Sequence, residues 1–160
     1  MKLKSLVTVI IILFAFSFCN AGCSNNNERA PSENNENGNN DTISTTKMKI
    51  TIGTTVFTAT LYNNPSTAAL KVSLPLTINM TELNGNEKYY DFPDPFPVNA
   101  SVGGDIKAGD LTLYGNNVLV LFYKNFNTSY RYTKLGYIDN PTGLATALGA
   151  GNVVVKIENN

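Results

Sequence analysis

The sequence contains no histidine and no tryptophan, and only two of its 160 residues are cysteines. Without histidine, the chain cannot build a Ser-His-Asp triad, a Cys-His dyad, a His-ligated zinc site or an imidazole acid or base. Two cysteines are too few for a four-thiolate metal site or a disulfide scaffold. The 12 basic residues only balance the 12 acidic ones, so the basic excess typical of nucleic-acid binding is missing. We therefore expect no metal ion, no cofactor and no nucleic-acid partner.

The start of the chain is typical of a secretory signal peptide. Lys2 and Lys4 form a basic beginning, and residues 5–18 form an uncharged, strongly apolar run. This run is too short for a transmembrane helix, which needs about 20 residues to cross a bilayer. We therefore predict that residues 1–22 are a signal peptide and that the mature protein is extracytoplasmic.

The residues around Cys23 resemble the processing site of a bacterial lipoprotein. Ala21 and Gly22 are small residues directly before the cysteine, although Asn20 stands where such sites usually carry an aliphatic residue. The resemblance implies that Cys23 is lipidated and that its acyl chains anchor the protein to a bacterial membrane. The alternative is an ordinary signal peptidase site, which would leave Cys23 as a plain thiol.

Residues 23–46 are predicted to be a disordered tether that follows the lipidated cysteine. The segment is rich in asparagine and contains almost no large aliphatic side chains. Such a composition cannot bury enough apolar surface to offset the entropy lost on ordering. As a flexible coil, the segment would reach about 25–30 Å. An Asn-rich ligand-binding segment is the alternative, and the folded domain is expected to comprise residues 47–160.

The rest of the chain consists of short strand patterns separated by Gly, Asn and Pro. Eight strands are predicted, at residues 48–53, 55–61, 76–80, 87–92, 111–115, 118–124, 135–138 and 152–158. One short helix is predicted to begin at Pro65 and to end before Pro75, and a second, capped from Asp139, covers residues 142–148. Residues 93–109 and 125–132 are predicted to be loops. Many short strands with Gly and Asn turns favour a sandwich or a barrel, and a closed barrel with a helix near each end fits this order.

Several sequence segments are similar to the bacterial cyclophilin-like domain family. They are Gly109-Asp110-Leu111, Leu113-Tyr114-Gly115, the apolar strand Leu119 to Tyr123, Thr128-Ser129-Tyr130, Leu135 to Ile138, and Gly143-Leu144. The resemblance extends over residues 47–158. It implies a mainly β protein with a closed eight-stranded cyclophilin-like β-barrel and two short helices. The family has no settled biochemical role, so the resemblance implies little about function.

Cyclophilins themselves are prolyl isomerases, and their active site carries an Arg, a Phe, a Gln and a His. Here Phe96 precedes Gly103-Gly104-Asp105, but the chain contains neither Gln nor His. The Arg of the predicted domain, Arg131, lies in a different part of the sequence. The resemblance therefore implies the barrel without the usual isomerase residues. A divergent prolyl isomerase acting on envelope proteins through Arg131 remains the alternative function.

Aromatic side chains are concentrated around two parts of the predicted domain and supply the candidate ligand-binding residues. These candidates are Tyr90, Phe92, Tyr123, Phe126, Tyr130, Arg131 and Tyr132. Grouped rings and hydroxyls can form a groove for an extended peptide or a small apolar ligand. The same side chains can equally be ordinary core and rim packing. The acidic residues show no spacing that demands an acid pair or a calcium loop. We predict a membrane-anchored, non-catalytic binding module; an accessory subunit of an envelope complex is a third possibility.

Overall fold

The computed structural model describes residues 46–160, so the predicted signal peptide, Cys23 and the tether to residue 45 lie outside the described residues. This part of the chain forms nine strands and two short helices. In chain order they are β1 (Thr46–Ile52), β2 (Thr55–Leu61), α1 (Pro65–Val72), β3 (Leu76–Leu83), β4 (Glu87–Asp91), β5 (Ser101–Ile106), β6 (Asp110–Tyr114), β7 (Val118–Phe122), β8 (Phe126–Ile138), α2 (Leu144–Leu148) and β9 (Val153–Asn159).

Eight of the strands between residues 46 and 160 close into an antiparallel barrel. They are hydrogen-bonded in the order β2-β1-β9-β3-β4-β7-β6-β8. The ring closes where the end of β8 pairs with β2, with Ala59 opposite Ile138 and Leu61 opposite Gly136. These are the eight strands that the sequence predicts, so the closed eight-stranded barrel with two short helices is confirmed.

The ninth strand, β5, lies outside the ring. The two predicted loops are wrong where strands replace them, at residues 101–106 and 126–132. Residues 93–109 contain β5, and residues 125–132 belong largely to β8, which is a single strand of 13 residues. β5 pairs with the first half of β8, so that Ile106 lies opposite Phe126. We call β5 together with residues 126–132 the arm. The second half of β8 pairs with β6 and completes the barrel.

Alternating apolar side chains fill the barrel. In β1, for example, Met48, Ile50 and Ile52 are buried, as the sequence pattern predicts. A fully buried side chain of this size stabilises the fold by about 1.5–3 kcal/mol. β7 is buried on both faces. Leu119 and Leu121 pack in the barrel, whereas Val120 and Phe122 on its other face pack under the arm.

The helices cover parts of the barrel and each begins at a defined cap. The Asn64 side chain accepts a hydrogen bond from the Thr67 backbone N–H at 2.9 Å, and Pro65 occupies the first turn, as predicted. α2 has Gly143 at its N-cap, so the predicted cap from Asp139 is wrong. The Asp139 carboxylate instead accepts hydrogen bonds from Lys47 and Thr60. In the described part of the chain, no helix has the length and apolar character needed to cross a membrane.

Candidate functional site

A groove of about 360 Å³ lies on the outer surface of the barrel, between the arm and strands β3, β4, β6 and β7. Four of its lining residues are tyrosines and two are acidic. The lining residues are Leu83, Asn84, Glu87, Tyr89, Asp91, Tyr114, Val118, Val120, Tyr130 and Tyr132. We call this the tyrosine groove. Its volume is at the lower end of the range for ligand pockets, about 300–1,000 Å³.

Strand alternation and register bring these side chains to one face. In β4, Glu87, Tyr89 and Asp91 are two residues apart and therefore point to the same side of the sheet. Pairing then aligns Asp91 with Val118 of β7, Val118 with Tyr114 of β6, and Tyr114 with Tyr132 of β8. The groove is thus built on the outer face of four consecutive barrel strands.

Tyr114 packs against two other tyrosines, Tyr130 and Tyr132, at one end of the groove. The Tyr114 ring lies 5.7 Å from the Tyr132 ring and 6.2 Å from the Tyr130 ring, edge-on to the latter at 87°. Tyr132 is only 6% exposed, whereas Tyr114 is 47% and Tyr130 is 64% exposed. Tyr132 therefore forms the floor, and the other two rings offer open aromatic surface. The edge-to-face pair of Tyr114 and Tyr130 contributes an attraction of about 0.5–1.5 kcal/mol.

The floor is fixed from below by a second apolar cluster outside the barrel. The cluster contains Ile106, Val120, Phe122 and Tyr132. The Phe122 ring lies 5.5 Å from that of Tyr132 and 5.4 Å from that of Phe126, in edge-to-face geometry. The arm is therefore held on β7 by aromatic packing, and the position of Tyr132 is set before any ligand arrives.

The two acidic residues of the groove have no basic partner within residues 46–160. The ion pairs of this part of the chain use Glu82, Asp139 and Glu158 instead. Burial, and to a smaller extent the negative charge of Glu82, raises the pKa of Glu87 above its ordinary value. Burial, and to a smaller extent the negative charge of Glu87, raises the pKa of Tyr132 to about 12. The Tyr132 hydroxyl therefore stays protonated at neutral pH. None of the lining residues is Lys or Arg. The groove thus combines aromatic faces, hydroxyls and negative charge.

Two of the sequence-predicted binding residues, Tyr130 and Tyr132, line the groove. Phe126 belongs to the arm and packs against Phe122 of β7. Arg131 is exposed, and its guanidinium donates a hydrogen bond of 2.5 Å to the carbonyl oxygen of Ala100. Arg131 therefore secures the arm to the chain that leads into it and is not among the residues that line the groove.

The other three predicted residues face the barrel interior. Phe92 is buried in the main core, and the Tyr90 ring lies 5.1 Å from it in edge-to-face contact. Tyr123 is also part of that core, and its hydroxyl donates to both carboxylate oxygens of Glu82 at 2.8 and 2.9 Å. The structure does not bring these three residues together with Tyr130 and Tyr132.

Sequence reasoning missed Tyr89, Tyr114, Glu87 and Asp91 as groove residues. For β4 a signal existed, because alternation separates Glu87, Tyr89 and Asp91 from the residues between them. For Tyr114 no local signal existed, because its place beside Tyr132 depends on the register between β6 and β8.

Glu82 and the fully buried Lys88 form a separate polar network at the barrel wall. The Lys88 ammonium group donates to the Glu82 carboxylate and to the carbonyl oxygens of Gly149 at 2.8 Å and Gly151 at 2.7 Å. All three donors are thus used, and Nζ lies 5.3 Å from the centre of the Tyr123 ring. This network ties β3 and β4 to the segment between α2 and β9.

The ionisation of Glu82 depends on that network. Burial opposes the charged form, but hydrogen bonds from Lys88, Tyr123 and the Gly85 N–H outweigh it and lower the pKa of Glu82. Burial and the hydrogen bond to Glu82 raise the pKa of Tyr123 to about 12. Because these groups satisfy one another, the network is structural in character.

A second groove, of about 300 Å³, lies beside the start of α1, and Tyr62, Pro65, Pro97 and Lys134 are among the residues that line it. In the described residues, no group of three or more His, Cys, Asp or Glu side chains is placed to hold a metal ion.

A family model described as the cyclophilin-like family matches residues 50–158. No curated protein and no solved structure matches the chain at a significant level.

Proposed function

Because the chain belongs to the cyclophilin-like family, we propose that its barrel serves as a non-catalytic module that binds a peptide or small ligand in the tyrosine groove. The observation that carries this proposal is the groove itself, which offers the open rings of Tyr114 and Tyr130 above a fixed floor at Tyr132. Tyrosine supplies a large contact area and a polar hydroxyl at a low cost in conformational entropy, as it does in binding loops of other proteins.

The chemistry of the groove favours binding over catalysis. Its hydroxyls are those of tyrosines, and the high pKa of Tyr132 keeps that hydroxyl a hydrogen-bond donor and not a base. Catalysis of prolyl isomerisation needs a donor aimed at the twisted amide beside an apolar pocket. Arg131, the residue expected to supply it, donates instead to the Ala100 carbonyl oxygen. This geometry supports the binding role over the isomerase alternative.

Selection of ligands against the full-length protein tests the proposal. Peptides enriched from a random displayed library are titrated against wild-type protein and against Tyr130→Ala, with fluorescence anisotropy as the readout. Truncating an aromatic residue at a binding hot spot costs more than about 1 kcal/mol, so we expect Y130A to weaken binding about fivefold or more.

Tyr137 supplies a matched control for this experiment. It lies on the same strand, is 39% exposed, and is absent from the groove lining. We expect Y137A to bind as the wild type does. Equal losses in Y130A and Y137A, or no loss in either, would show that the groove is not the binding site.

We further propose that Cys23 is lipidated and anchors the protein to the extracytoplasmic side of a bacterial membrane. The support is the sequence of a basic start, an apolar run, small residues before Cys23 and an Asn-rich segment after it. In cells fed a labelled fatty acid, we expect the wild type to carry the label and to sediment with membranes. Cys23→Ser should lose the label, and an unlabelled wild-type protein would contradict the proposal.

A further inference from the structure

The acidic wall of the tyrosine groove points to the chemistry of its ligand. Glu87 and Asp91 lie on the same face of β4, and both line the groove. Neither takes part in an ion pair within residues 46–160, and none of the lining residues is basic. Glu87 is partly buried and Asp91 is exposed. A partly buried carboxylate without a cation, such as that of Glu87, is stabilised when a ligand brings one, and the exposed Asp91 adds a second negative charge beside the same groove.

The tyrosine rings suit the same kind of ligand. The face of an aromatic ring attracts a guanidinium or ammonium group within about 6 Å, and the attraction grows when water is excluded. Tyr114 and Tyr130 offer such faces at one side of the groove, and Glu87 and Asp91 offer charge at the other. Rings and carboxylates that converge on one volume form a site for a basic side chain.

The spacing of the acidic residues matches an extended chain. Glu87 and Asp91 are four residues apart in a strand, so their Cα atoms are about 13 Å apart at about 3.3 Å per residue. An extended peptide that lies along β4 has the same repeat. Its side chains at positions i and i+4 therefore reach the two carboxylates, and the residue between them passes over Tyr89.

From these observations we propose that the tyrosine groove recognises an extended basic peptide, in which Arg or Lys side chains pair with Glu87 and Asp91 and lie against Tyr114 and Tyr130. This inference rests on the proposed function, since it assigns a ligand chemistry to the same groove.

The probe is the peptide acetyl-Arg-Ala-Ala-Ala-Arg-amide, compared with the same peptide in which citrulline replaces both arginines. Citrulline has nearly the same shape as arginine but no charge. Calorimetric titration of the full-length protein is expected to show about tenfold tighter binding of the arginine peptide, the combined effect of cation–π and charge pairing. Raising the salt concentration should reduce this preference.

Substitutions in the groove test which residues cause the preference for the arginine peptide over the citrulline peptide. We expect Glu87→Gln and Asp91→Asn each to reduce it and the double variant to abolish it. Asp94→Asn removes one negative charge outside the groove lining and should leave the preference intact. Tyr130→Ala should weaken both peptides, and the arginine peptide more, because it removes a cation–π contact as well as aromatic contact area. Thermal melting checks that every variant remains folded.

The outcomes separate this inference from the proposed function. The preference for a cation is overturned if the wild type binds the two peptides with equal affinity. If Y130A then binds neither peptide, the binding role of the groove still holds. Binding of acetyl-arginine-amide as tight as that of the peptide overturns the extended-peptide ligand in favour of a small organic cation. Binding that no groove variant changes overturns both. If neither peptide binds at millimolar concentration, the inference is wrong, and the library experiment decides the binding role on its own.

Discussion

At the scale of single residues, β4 shows that adjacent side chains in one strand have different roles. In β4, Glu87 and Tyr89 face the groove, whereas Lys88 between them is fully buried. The buried ammonium group is tolerated because it makes three hydrogen bonds, one of them to the Glu82 carboxylate. A buried charge of this kind depends on all its partners.

Lys88→Met is therefore expected to destabilise the protein by about 3 kcal/mol, because it leaves the Glu82 carboxylate without its cation and two carbonyl oxygens without their donor. Urea unfolding of the full-length protein measures the loss. Lys49→Met is the control, since Lys49 pairs with Glu158 at the surface and should change the free energy of unfolding by less than about 1 kcal/mol. A loss below 1 kcal/mol in K88M would show that the network contributes little.

The lowered pKa of Glu82 makes part of the stability depend on pH. A carboxyl group whose pKa is lower in the folded state stabilises the fold above its unfolded pKa and loses that effect as the pH falls through the folded value. Relative to the ordinary value of 4.5, the pKa of Glu82 is lowered. We expect the stability advantage of the wild type over Glu82→Gln to be greatest above pH 5 and to shrink towards pH 3. An advantage that is constant across this range would contradict the role of the charge.

At the scale of elements, β8 joins the two parts of the described fold. Its first half pairs with β5 in the arm, and its second half closes the barrel against β6 and β2. Gly136 lies at the closing contact. A Cβ atom there would overlap the backbone carbonyl oxygen of Thr60 and lie 3.0 Å from the Cα atom of Leu61. Only glycine lets the two strands approach so closely.

Gly136→Ala is expected to cost about 3 kcal/mol, because a backbone contact cannot rotate away as a flexible side chain can. Gly151→Ala is the matched control, since an added Cβ meets nothing within 4 Å and the change should stay within about 0.5 kcal/mol. Chemical denaturation of both variants tests the difference. Equal stability of G136A and G151A would show that the barrel does not depend on the close contact between β2 and β8 at this position.

The barrel strands could be predicted from sequence because each carries its own signal. β1 alternates apolar and polar residues, and β7 is apolar throughout. β5 has two adjacent glycines, and the first half of β8 is mostly polar and exposed, so neither shows a strand pattern. Their structure comes from pairing with each other, which a local pattern does not encode.

The candidate site is harder to predict than the fold. Alternation in β4 separates Tyr89 from Tyr90, but it does not show which of the two faces meets the core, so the sequence predicts Tyr90 as a site residue where the structure places Tyr89. The register between β6 and β8, which places Tyr114 beside Tyr132, is set by tertiary packing. A sequence can thus indicate which rings are available without showing which of them meet.

At the scale of the whole molecule, the barrel is that of the cyclophilin-like family, but the residues of a prolyl isomerase site are missing or engaged elsewhere. The chain shares the cyclophilin-like barrel. The sequence nevertheless has no Gln and no His, and Arg131 is engaged with Ala100. We therefore expect the fold to be retained without the activity of the isomerases that it resembles.

An isomerisation assay with a short X–Pro peptide tests this expectation. The uncatalysed reaction takes tens to hundreds of seconds, so a modest acceleration is easy to see. We expect none from the full-length protein and none from Arg131→Ala. Acceleration by the wild type that disappears in R131A would establish a relocated isomerase site and would contradict the non-catalytic role.

The position of β9 has a consequence for how the domain folds. β9 is the last strand, yet it lies between β1 and β3, and it pairs Met48 with Asn159. Contacts between residues so distant in sequence require closure of a long loop, which slows folding. During synthesis, β1 and β3 therefore lack the neighbour that joins them until residues 153–159 have emerged. The barrel cannot close before then, and until that point the nascent chain exposes the strand edges that β9 later covers.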